Sequence, residues 1–382
     1  MKNHAMNEYD VIVIGVGGMG SATLFHLAQR GFRVLGIERY DVPNDMGSSH
    51  GVTRMIRLAY HEDPSYVPLL RRAYALWHQL ENMSGERLLL ITGSIRAGSE
   101  SSSLFLGSKE ACEIHHVDHQ VLAGPEVNRR FPGYQLPEDI MAVYDPDGGL
   151  LLSERCIVAH VNAALDQGAQ LPAREQVLAW EPRGDGVRVD TDRDTYTAKK
   201  LVICAGAWAG KLIPELAQWA VPERQVLAWF LPSRPELYRP HAFPPFGLEV
   251  EEGRFYGFPS YGIPGFKVGL YHHLGQQVDP DTMDRDVHPE DEEVLRDFTR
   301  RYFPEASGPT LALKTCLFTN SPDEHFILDR HPSFANVFIA AGFSGHGFKF
   351  CSVVGEVMAD LVESGDTPHD LSLFKLSRLW VA

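Results

Sequence analysis

A glycine-rich turn near the start of the chain constrains the fold more than any other feature. The motif GxGxxG covers residues 15–20 and directly follows an apolar, β-branched run at residues 10–14. Such a run is typical of a buried strand, and an amphipathic helix is predicted after the motif over residues 21–30. A second short strand is predicted over residues 34–37. The resulting β-α-β unit indicates a nucleotide-binding α/β fold.

The three motif glycines have separate physical roles. Gly15 permits the tight turn, Gly17 lets the backbone approach a pyrophosphate, and Gly20 allows close packing of helix and strand. The positive end of the helix dipole then faces the phosphates. Glu38 ends the second predicted strand, where its carboxylate can accept hydrogen bonds from a ribose. The motif predicts a dinucleotide but does not separate NAD from FAD.

Composition narrows the classes of function. The chain has 382 residues, of which 44% are hydrophobic and 22% are charged, which is ordinary for a globular protein of two domains or one large one. The formal net charge of -15 argues against nucleic acid and anionic membranes as partners. A carboxylate substrate would therefore need a local cationic pocket.

Cysteine usage and the N-terminal residues bear on location. The five cysteines are odd in number and include no CxxC pair, which fits neither a disulfide framework nor a zinc site. Residues 1–9 are polar, unlike a signal peptide, and no run approaches the roughly 20 apolar residues of a membrane span. We expect a cytoplasmic protein with neither a membrane partner nor a metal site.

The pattern along the chain indicates two interleaved domains. Helix and strand signals of the α/β kind lie at both ends and again near the middle, whereas residues 223–319 are rich in proline, glycine and aromatics and alternate like strands. We therefore expect a discontinuous nucleotide-binding domain and a β-rich substrate domain. The boundaries are expected at 1–84, 143–221 and 325–382 for the first domain and at 85–142 and 222–324 for the second.

A basic segment follows the ribose-binding acid. Residues 47–57 read GSSHGVTRMIR, and on a helix Arg54 and Arg57 would share one face. They are either two solvated arginines or groups beside the phosphates and ring of a cofactor. The glycine- and serine-rich surroundings favour the second interpretation.

A second glycine-rich loop contains Gly342, Gly345 and Gly347, after a predicted strand and before a helix predicted over residues 348–362. Its N–H groups and the positive end of the helix would stabilise negative charge on a reduced flavin. Lys349 falls in the first turn of that helix, where a cation is unfavourable. It indicates a bound anion such as a substrate carboxylate, or else an exposed lysine whose small destabilisation is tolerated.

Two reactive side chains lie in apolar, strand-like segments. Lys267 either points to solvent or is partly buried with a lowered pKa. For Cys316, local sequence alone favours a small buried hydrophobe.

Together these segments resemble the monomeric sarcosine oxidase family, which includes N-methyltryptophan oxidase. The resemblance spans nearly the whole chain, from DVIVIGVGGMG to DLSLF. Its specific parts, in matching order and spacing, are GSSHGVTRMIRLAYHEDPSYVPL, YGFPSYGIPGFKVG, the Cys316 segment followed by SPDEHFILD, and AAGFSGHGFKF. It implies an α/β (α+β) flavoprotein of the glutathione-reductase or D-amino-acid-oxidase type, with a Rossmann-like FAD-binding domain and a second, β-rich domain.

The resemblance also implies chemical roles for matching residues. Cys316 would hold FAD covalently through a thioether to the flavin 8α-methyl carbon. Lys267 would assist oxygen reduction. Arg57 and Lys349 would bind the substrate carboxylate.

Further site residues are implied in the same way. Arg54 would lie near the flavin, and Tyr256 and His272 would line the active site, His272 after a one-residue insertion. The implied cofactor contacts are Gly15, Gly17, Gly18, Gly20, Glu38, Ser48, His50, Arg54, Val177, Gly206, Trp208, Cys316, Gly342, Gly345, Gly347 and Lys349.

The chain departs from the family pattern at three places. Ser49-His50 replaces a frequent pair of histidines, which alters a contact beside the flavin. Phe318 replaces a frequent tyrosine, so one polar substrate contact is lost. Gly247 stands where the family has a bulkier residue, which predicts room for a larger substrate side chain.

The predicted enzyme is therefore an FAD-dependent amine oxidase, cytoplasmic and monomeric. It would oxidise a secondary amino acid, N-alkyl or cyclic, to an imine that hydrolyses, and reduce O2 to H2O2. The substrate would be an N-methyl amino acid such as sarcosine or a bulkier analogue. The alternatives are a flavin amine dehydrogenase with another electron acceptor, an NAD-dependent dehydrogenase, and a non-catalytic flavin-binding sensor.

Overall fold

Three sheets and their covering helices make up the part of the chain that the computed structural model describes, residues 8–172 and 174–380. The strands are β1 (Glu8–Ile14), β2 (Val34–Ile37), β3 (Thr53–Ile56), β4 (Leu89–Ile91), β5 (Ser94–Ser99), β6 (Gln120–Ala123), β7 (Ile140–Asp145), β8 (Gly149–Leu152), β9 (Val177–Arg183), β10 (Gly186–Thr191), β11 (Thr195–Ile203), β12 (Val221–Phe230), β13 (Phe246–Val250), β14 (Gly253–Phe258), β15 (Phe266–Leu270), β16 (Thr310–Asn320), β17 (Ile327–Arg330) and β18 (Val337–Ala341). The α-helices are α1 (Gly18–Gln29), α2 (Tyr66–Ser84), α3 (Ser103–His115), α4 (Gly124–Arg130), α5 (Ser153–Asp166), α6 (Ala209–Leu212), α7 (Pro289–Tyr302) and α8 (Cys351–Glu363).

The first sheet has the order β17-β18-β11-β1-β2, with the β9–β10 hairpin continuing from β11. Strands β18, β11, β1 and β2 run parallel, and Ile14 lies opposite both Ile203 and Ile37. Both faces of β1 are buried, because Val11 and Val13 face one hydrophobic cluster and Ile12 and Ile14 face another. The glycine motif and the loop after β18 therefore meet at one edge of the sheet, where such folds bind ligands.

The second sheet contains eight strands in the order β16-β12-β15-β14-β13-β5-β7-β6. Its neighbours pair antiparallel, except that β13 and β5 run parallel. Its core is aromatic, and Phe246, Phe266 and Phe303 are fully buried against one another. The third sheet is small, with the order β3-β8-β4.

Strand β3 excludes the helical arrangement in which Arg54 and Arg57 would share one face. Residues 53–56 pair with β8, so Arg54 is a strand residue and Arg57 follows the end of the strand. Sheet pairing with a distant segment therefore decides the conformation here, against the helical spacing of the two arginines.

The other expected elements lie close to their predicted positions, with α1 beginning at Gly18 rather than at residue 21. Residues 348–350 form a 3-10 turn that precedes α8, so Lys349 stands before the helix and not in its first turn. Strand β7 crosses the expected boundary at residue 143 and belongs to the eight-stranded sheet. The division into two domains stays a prediction.

Within residues 8–172 and 174–380, no helix is both long enough and apolar enough to cross a membrane. The expectation about the N-terminal segment falls largely on residues 1–7, which lie outside the described ranges.

Candidate active site

A cavity of about 400 Å³ lies at the edge of the parallel sheet. Three segments that follow β1, β11 and β18 form much of its wall. The predicted residues on its wall are Gly15, Gly17, Gly18, Glu38, Ser48, Arg54, Val177, Gly206, Trp208, Phe318, Gly342, Gly345 and Gly347. We call it the larger cavity.

The glycine motif has the geometry that a pyrophosphate requires. Gly15 has a φ of +85°, and a Cβ there would lie 2.6 Å from the Cys204 carbonyl oxygen. A Cβ at Gly20 would overlap the Gly15 carbonyl oxygen. At Gly17, by contrast, a Cβ would meet nothing within 4 Å, so this backbone is open to the larger cavity. This geometry fits a turn at Gly15, packing at Gly20 and an open backbone at Gly17, and the approach of a ligand at Gly17 stays a prediction.

Glu38 lies on the wall of the larger cavity with a buried carboxylate. Its oxygens accept hydrogen bonds from the N–H groups of Val16 at 2.8 Å and Tyr40 at 3.0 Å. Burial raises its pKa, although these backbone donors oppose the shift. Since a carboxylate accepts up to about four hydrogen bonds, Glu38 retains capacity for ribose hydroxyls.

The loop after β18 lies between the larger cavity and a second, smaller cavity. Gly342, Ser344 and Gly345 all have positive φ, which turns the loop tightly. A Cβ at Gly345 would overlap the Phe318 ring, so only glycine fits there. Both residues are on the walls of both cavities.

A strained turn precedes β3 and is held from two sides. Gly51 and Val52 have φ values of +93° and +73°, the latter rare for a β-branched residue. The Glu154 carboxylate accepts the N–H of Gly51 at 2.7 Å and that of Val52 at 3.1 Å. From the other side the Lys267 ammonium donates to the carbonyls of Gly51 and Thr53, both at 2.8 Å.

Lys267 is buried, as one of the two interpretations of its strand required. Desolvation lowers its pKa well below the usual value, and the nearby Arg54 charge lowers it further. Within the described residues it is not on the wall of either cavity.

Cys316 is buried on the wall of the smaller cavity. Burial alone would raise the pKa of its thiol, but the neighbouring His50 ring and the Arg54 guanidinium outweigh burial and lower the pKa to about 7. For the other four cysteines, all within the described ranges, burial raises the pKa: Cys112, Cys156, Cys204 and Cys351. Of the five cysteines, all within the described ranges, Cys316 alone has a lowered thiol pKa, which favours the nucleophilic thiolate.

The smaller cavity encloses about 90 Å³ and adjoins the larger one along shared wall residues. The shared residues are Arg54, Phe318, Gly345 and Phe348. The predicted residues on its wall are Arg54, Arg57, Gly247, Tyr256, Cys316, Phe318, Gly345 and Lys349. The wall also has six residues with polar or charged side chains that were not among the predicted site residues: His61, Glu62, Arg96, Arg254, Tyr271 and His346.

Arg57 and Lys349 are both buried cations on this wall. Arg57 Nη2 donates to both oxygens of Glu62, at 2.7 and 2.8 Å. Lys349 Nζ donates to the His346 carbonyl at 2.5 Å, and desolvation lowers its pKa well below the usual value. The predicted carboxylate site thus contains an internal carboxylate, Glu62, which a substrate must displace or share.

Gly247 does not provide the room that was expected. It lies opposite Arg96 in the parallel pair of β13 and β5, and a Cβ at residue 247 would overlap the Arg96 guanidinium. The expectation of space for a larger substrate side chain at Gly247 is therefore wrong, because Arg96 occupies that space.

His272 and His50 are also placed differently from the expectation. His272 is half-exposed, with Nδ1 3.1 Å from a Glu223 oxygen and Nε2 2.8 Å from a Glu324 oxygen, which raise its pKa to about 9. Within the described residues it is on neither cavity wall, so the structure does not bring it to the site. His50 lies beside Cys316 instead of on the wall of the larger cavity.

Comparisons with known proteins agree with this geometry. The family model described as FAD dependent oxidoreductase matches residues 10–361. The chain belongs to this family.

Among its relatives, the chain is 42% identical over 376 residues to a monomeric sarcosine oxidase of Bacillus sp. (strain NS-129), with 97% of each chain covered. It is 43% identical over 379 residues to a monomeric sarcosine oxidase of Streptomyces avermitilis, covering 98% of each. It is 34% identical to an N-methyl-L-tryptophan oxidase of Yersinia pestis over 374 residues, covering 97% of this chain and 99% of that one. The predicted family is confirmed.

Among solved structures, NikD, an unusual amino acid oxidase essential for nikkomycin biosynthesis, is similar with a TM-score of 0.84. It is 26% identical, and 97% of each chain is covered. The predicted fold and the prediction of an FAD-dependent amine oxidase are confirmed. FAD is the cofactor of this family, and the open backbone at Gly17 and the acid Glu38 fit its pyrophosphate and ribose.

Proposed function

We propose that this FAD-dependent amine oxidase oxidises a secondary amino acid, N-methylated or cyclic, to an imine that water then hydrolyses. The observation that carries the proposal is the pair of buried cations, Arg57 and Lys349, on a small cavity that adjoins the cofactor cavity. N-methyl amino acids, sarcosine among them, are the first candidates. We further propose a cytoplasmic monomer with O2 as the second substrate.

The chain's own residues bind and orient the amino acid. Its carboxylate replaces or joins Glu62 at Arg57 and receives a second charge-assisted bond from Lys349. These cations and Arg54 disfavour a positively charged amine, so the substrate nitrogen is held neutral with its lone pair available. Phe318 and Tyr256 add aromatic surface to the wall of the same cavity.

A flavin bound in the larger cavity would supply the redox chemistry, in which the hydride equivalent from the carbon next to nitrogen would finally reduce O2 to hydrogen peroxide. Lys267 supplies the positive charge that stabilises reduced oxygen in that step, since it is buried near Arg54 and Cys316.

We also propose that Cys316 forms a thioether with the flavin 8α-methyl carbon. The C–S bond replaces one S–H and one C–H bond, and the two electrons released reduce O2 to hydrogen peroxide. The low thiol pKa of about 7 supports the proposal, because the thiolate is the nucleophile. Acid-denatured protein should keep its yellow colour and give a flavin-bearing Cys316 peptide by mass spectrometry. Free FAD and an unmodified peptide would contradict the linkage.

An anaerobic screen tests the reaction. Sarcosine, other N-methyl amino acids, proline and pipecolate are mixed with the enzyme, and bleaching of the flavin absorbance is followed. We expect bleaching with at least one compound, followed in air by stoichiometric hydrogen peroxide. Bleaching without oxygen consumption would contradict the role of O2, and no bleaching would contradict the proposed substrate class.

The Arg57→Ala variant tests the binding site. It should raise the apparent substrate constant about 10- to 100-fold, because a charge-assisted pair is lost. Arg57→Lys, which keeps the charge, should lose less. An unchanged substrate constant would remove Arg57 from the binding site.

A further inference from the structure

The smaller cavity carries more positive charge than one substrate carboxylate requires. Among the described residues on its wall, Glu62 is the one acid. The cationic residues on that wall are Arg54, Arg57, Arg96, Arg254 and Lys349. Since Glu62 already pairs with Arg57, most of this charge has no acid within the cavity.

Arg96 is the cation that most clearly lacks a counter-ion. Arg96 is 6% exposed, and its guanidinium fills the space beside Gly247. In the described part of the chain, its Nε has no hydrogen-bond partner, Nη1 lies 3.8 Å from the Met55 sulfur, and Nη2 lies 3.3 Å from His61 Nδ1. Burying a charged guanidinium without a counter-ion costs free energy, and this burial lowers the pKa of Arg96.

The Met55 sulfur is a weak acceptor for Nη1, and His61 offers Arg96 no acceptor at all. Burial lowers the His61 pKa to about 3, so the ring is neutral and carries one N–H. Nδ1 lies 2.9 Å from Glu62 Oε2 and donates to it, which leaves Nε2 to accept from Arg254 Nη1 at 3.2 Å. A protonated Nδ1 cannot accept from Arg96.

Arg254 differs from Arg96 because it has an acid of its own. Its guanidinium donates to Glu249 Oε2 at 3.1 and 3.3 Å as well as to His61. Arg57 Nη2 lies 3.3 Å from the same His61 Nδ1 as Arg96 Nη2, so the two guanidinium groups are neighbours. An anion at Arg96 would therefore lie next to the predicted site of the substrate carboxylate.

We infer that Arg96 binds a second acidic group, and that the preferred substrate is a secondary amino acid whose short side chain ends in a carboxylate. The inference rests on the proposed function and specifies its substrate class. The guanidinium fork matches a carboxylate with two parallel hydrogen bonds. The smaller cavity encloses about 90 Å³, against about 400 Å³ for the larger one, which favours a short substrate side chain.

The first test compares matched substrates. N-methyl-L-aspartate and N-methyl-L-glutamate are compared with their side-chain amides and with N-methyl-L-alanine. We expect kcat/KM for the better acid to exceed that of its amide about 10- to 100-fold, as for a charge-assisted pair. Equal or lower values for both acids would overturn the inference.

Variants then assign the preference to Arg96. Arg96→Leu should abolish the preference for the acid, because kcat/KM for the acid should fall about 10- to 100-fold more than kcat/KM for N-methyl-L-alanine. Gly247→Ala should do the same, because the new Cβ displaces the guanidinium. Arg129→Leu, which removes an exposed arginine, is the control and should keep the preference. If Arg96→Leu weakens the acid and N-methyl-L-alanine equally, Arg96 serves the common carboxylate and the inference is wrong.

A binding measurement separates this inference from the proposed function. Thioethers with sulfur in place of the amine nitrogen cannot form an imine, so (methylthio)acetate and 2-(methylthio)succinate report binding alone. By calorimetry the diacid should bind about 10- to 100-fold more tightly, and Arg96→Leu should remove the difference. If no amine is oxidised yet this difference persists, the proposed function fails and the anion site stands. If amines are oxidised and the diacid binds no better, the anion site fails alone.

Discussion

Side chains that line the smaller cavity form ion pairs and hydrogen bonds with one another without a substrate. Burial alone would raise the pKa of Glu62, but Arg57 and His61 hold it well below the usual value. Glu62 is therefore ionised at neutral pH. The substrate carboxylate competes with an internal one for Arg57, and this competition sets the affinity at the residue scale.

Replacing Glu62 should strengthen binding. In Glu62→Gln the competing charge is gone and Arg57 is free for the substrate, so the apparent substrate constant should fall about 10-fold. Steady-state kinetics with the best N-methyl amino acid measures it. Glu86→Gln, at an exposed ion pair with Arg155, serves as the control. A higher apparent substrate constant, which means weaker binding, would show that Glu62 positions Arg57 instead of competing for it.

The pH dependence of flavin attachment follows from the Cys316 thiol. A lowered pKa means that the thiolate is present above about pH 7 and is lost as pH falls below it. The rate at which apoprotein and FAD form the covalent product should therefore level off above pH 7 and fall about tenfold per unit below it. His50→Ala should move the midpoint upward. A rate independent of pH between 5 and 9 would argue against thiolate attack.

At the scale of elements, the turns that end β1 and β18 and the turn that precedes β3 create the site. Each adopts a backbone that most side chains cannot follow, and each is fixed by particular neighbours: Cys204 at Gly15, Phe318 at Gly345, and Glu154 with Lys267 around Val52. The sheets hold these turns within reach of one another. Changes in the turns should therefore affect ligands in distinct ways.

The glycine motif allows packing and ligand binding to be separated. Gly17→Ala adds a methyl group that touches nothing in the protein, so thermal stability of the apoprotein should stay the same while FAD affinity falls. Gly20→Ala places the same methyl group against the Gly15 carbonyl and should destabilise the apoprotein itself. Thermal unfolding and FAD titration measure the two effects. Equal losses of stability would contradict the assignment of Gly17 to the ligand.

Lys267 has two roles, since it donates hydrogen bonds to the turn before β3 and is proposed to assist the reduction of O2. Lys267→Met should slow reoxidation by O2 far more than flavin reduction by substrate, and rapid-mixing kinetics resolves the two half-reactions. It should also destabilise the fold, because two buried carbonyls lose their donor, by about 1–3 kcal/mol for each unpaired group. Lys314→Met, at an exposed lysine, is the control. Equal slowing of both half-reactions would assign Lys267 a structural role only.

At the scale of the whole molecule, segments from both ends of the chain form the wall of the larger cavity, so bound FAD should act as a stabilising ligand. With a covalent flavin, the melting temperature should not depend on added FAD. In Cys316→Ala it should rise with FAD concentration, as expected when a free ligand binds only the folded state. Differential scanning calorimetry over a range of FAD concentrations measures this. A melting temperature of the unaltered protein that depends on FAD would contradict a permanent link.

The sequence alone predicted those parts of the site whose conformation depends on residues that are close together along the chain. The glycine motif, Glu38 and the loop after β18 could be predicted because turn, strand and helix signals are neighbours along the chain. Roles for Cys316 and Arg57 came from resemblance, since the surroundings of each are built by distant strands. Arg96 carried no signal, because only the pairing of β5 with β13 brings it against Gly247.

The wall common to the two cavities limits how such a protein can change its substrate. Arg54, Phe318, Gly345 and Phe348 border both compartments, so a mutation in any of them disturbs cofactor and substrate together. Arg96 and Gly247 border the smaller compartment alone. We therefore expect substitutions that change substrate specificity during evolution to occur mostly at Arg96 and Gly247. Such substitutions can alter substrate binding without weakening the binding of the flavin.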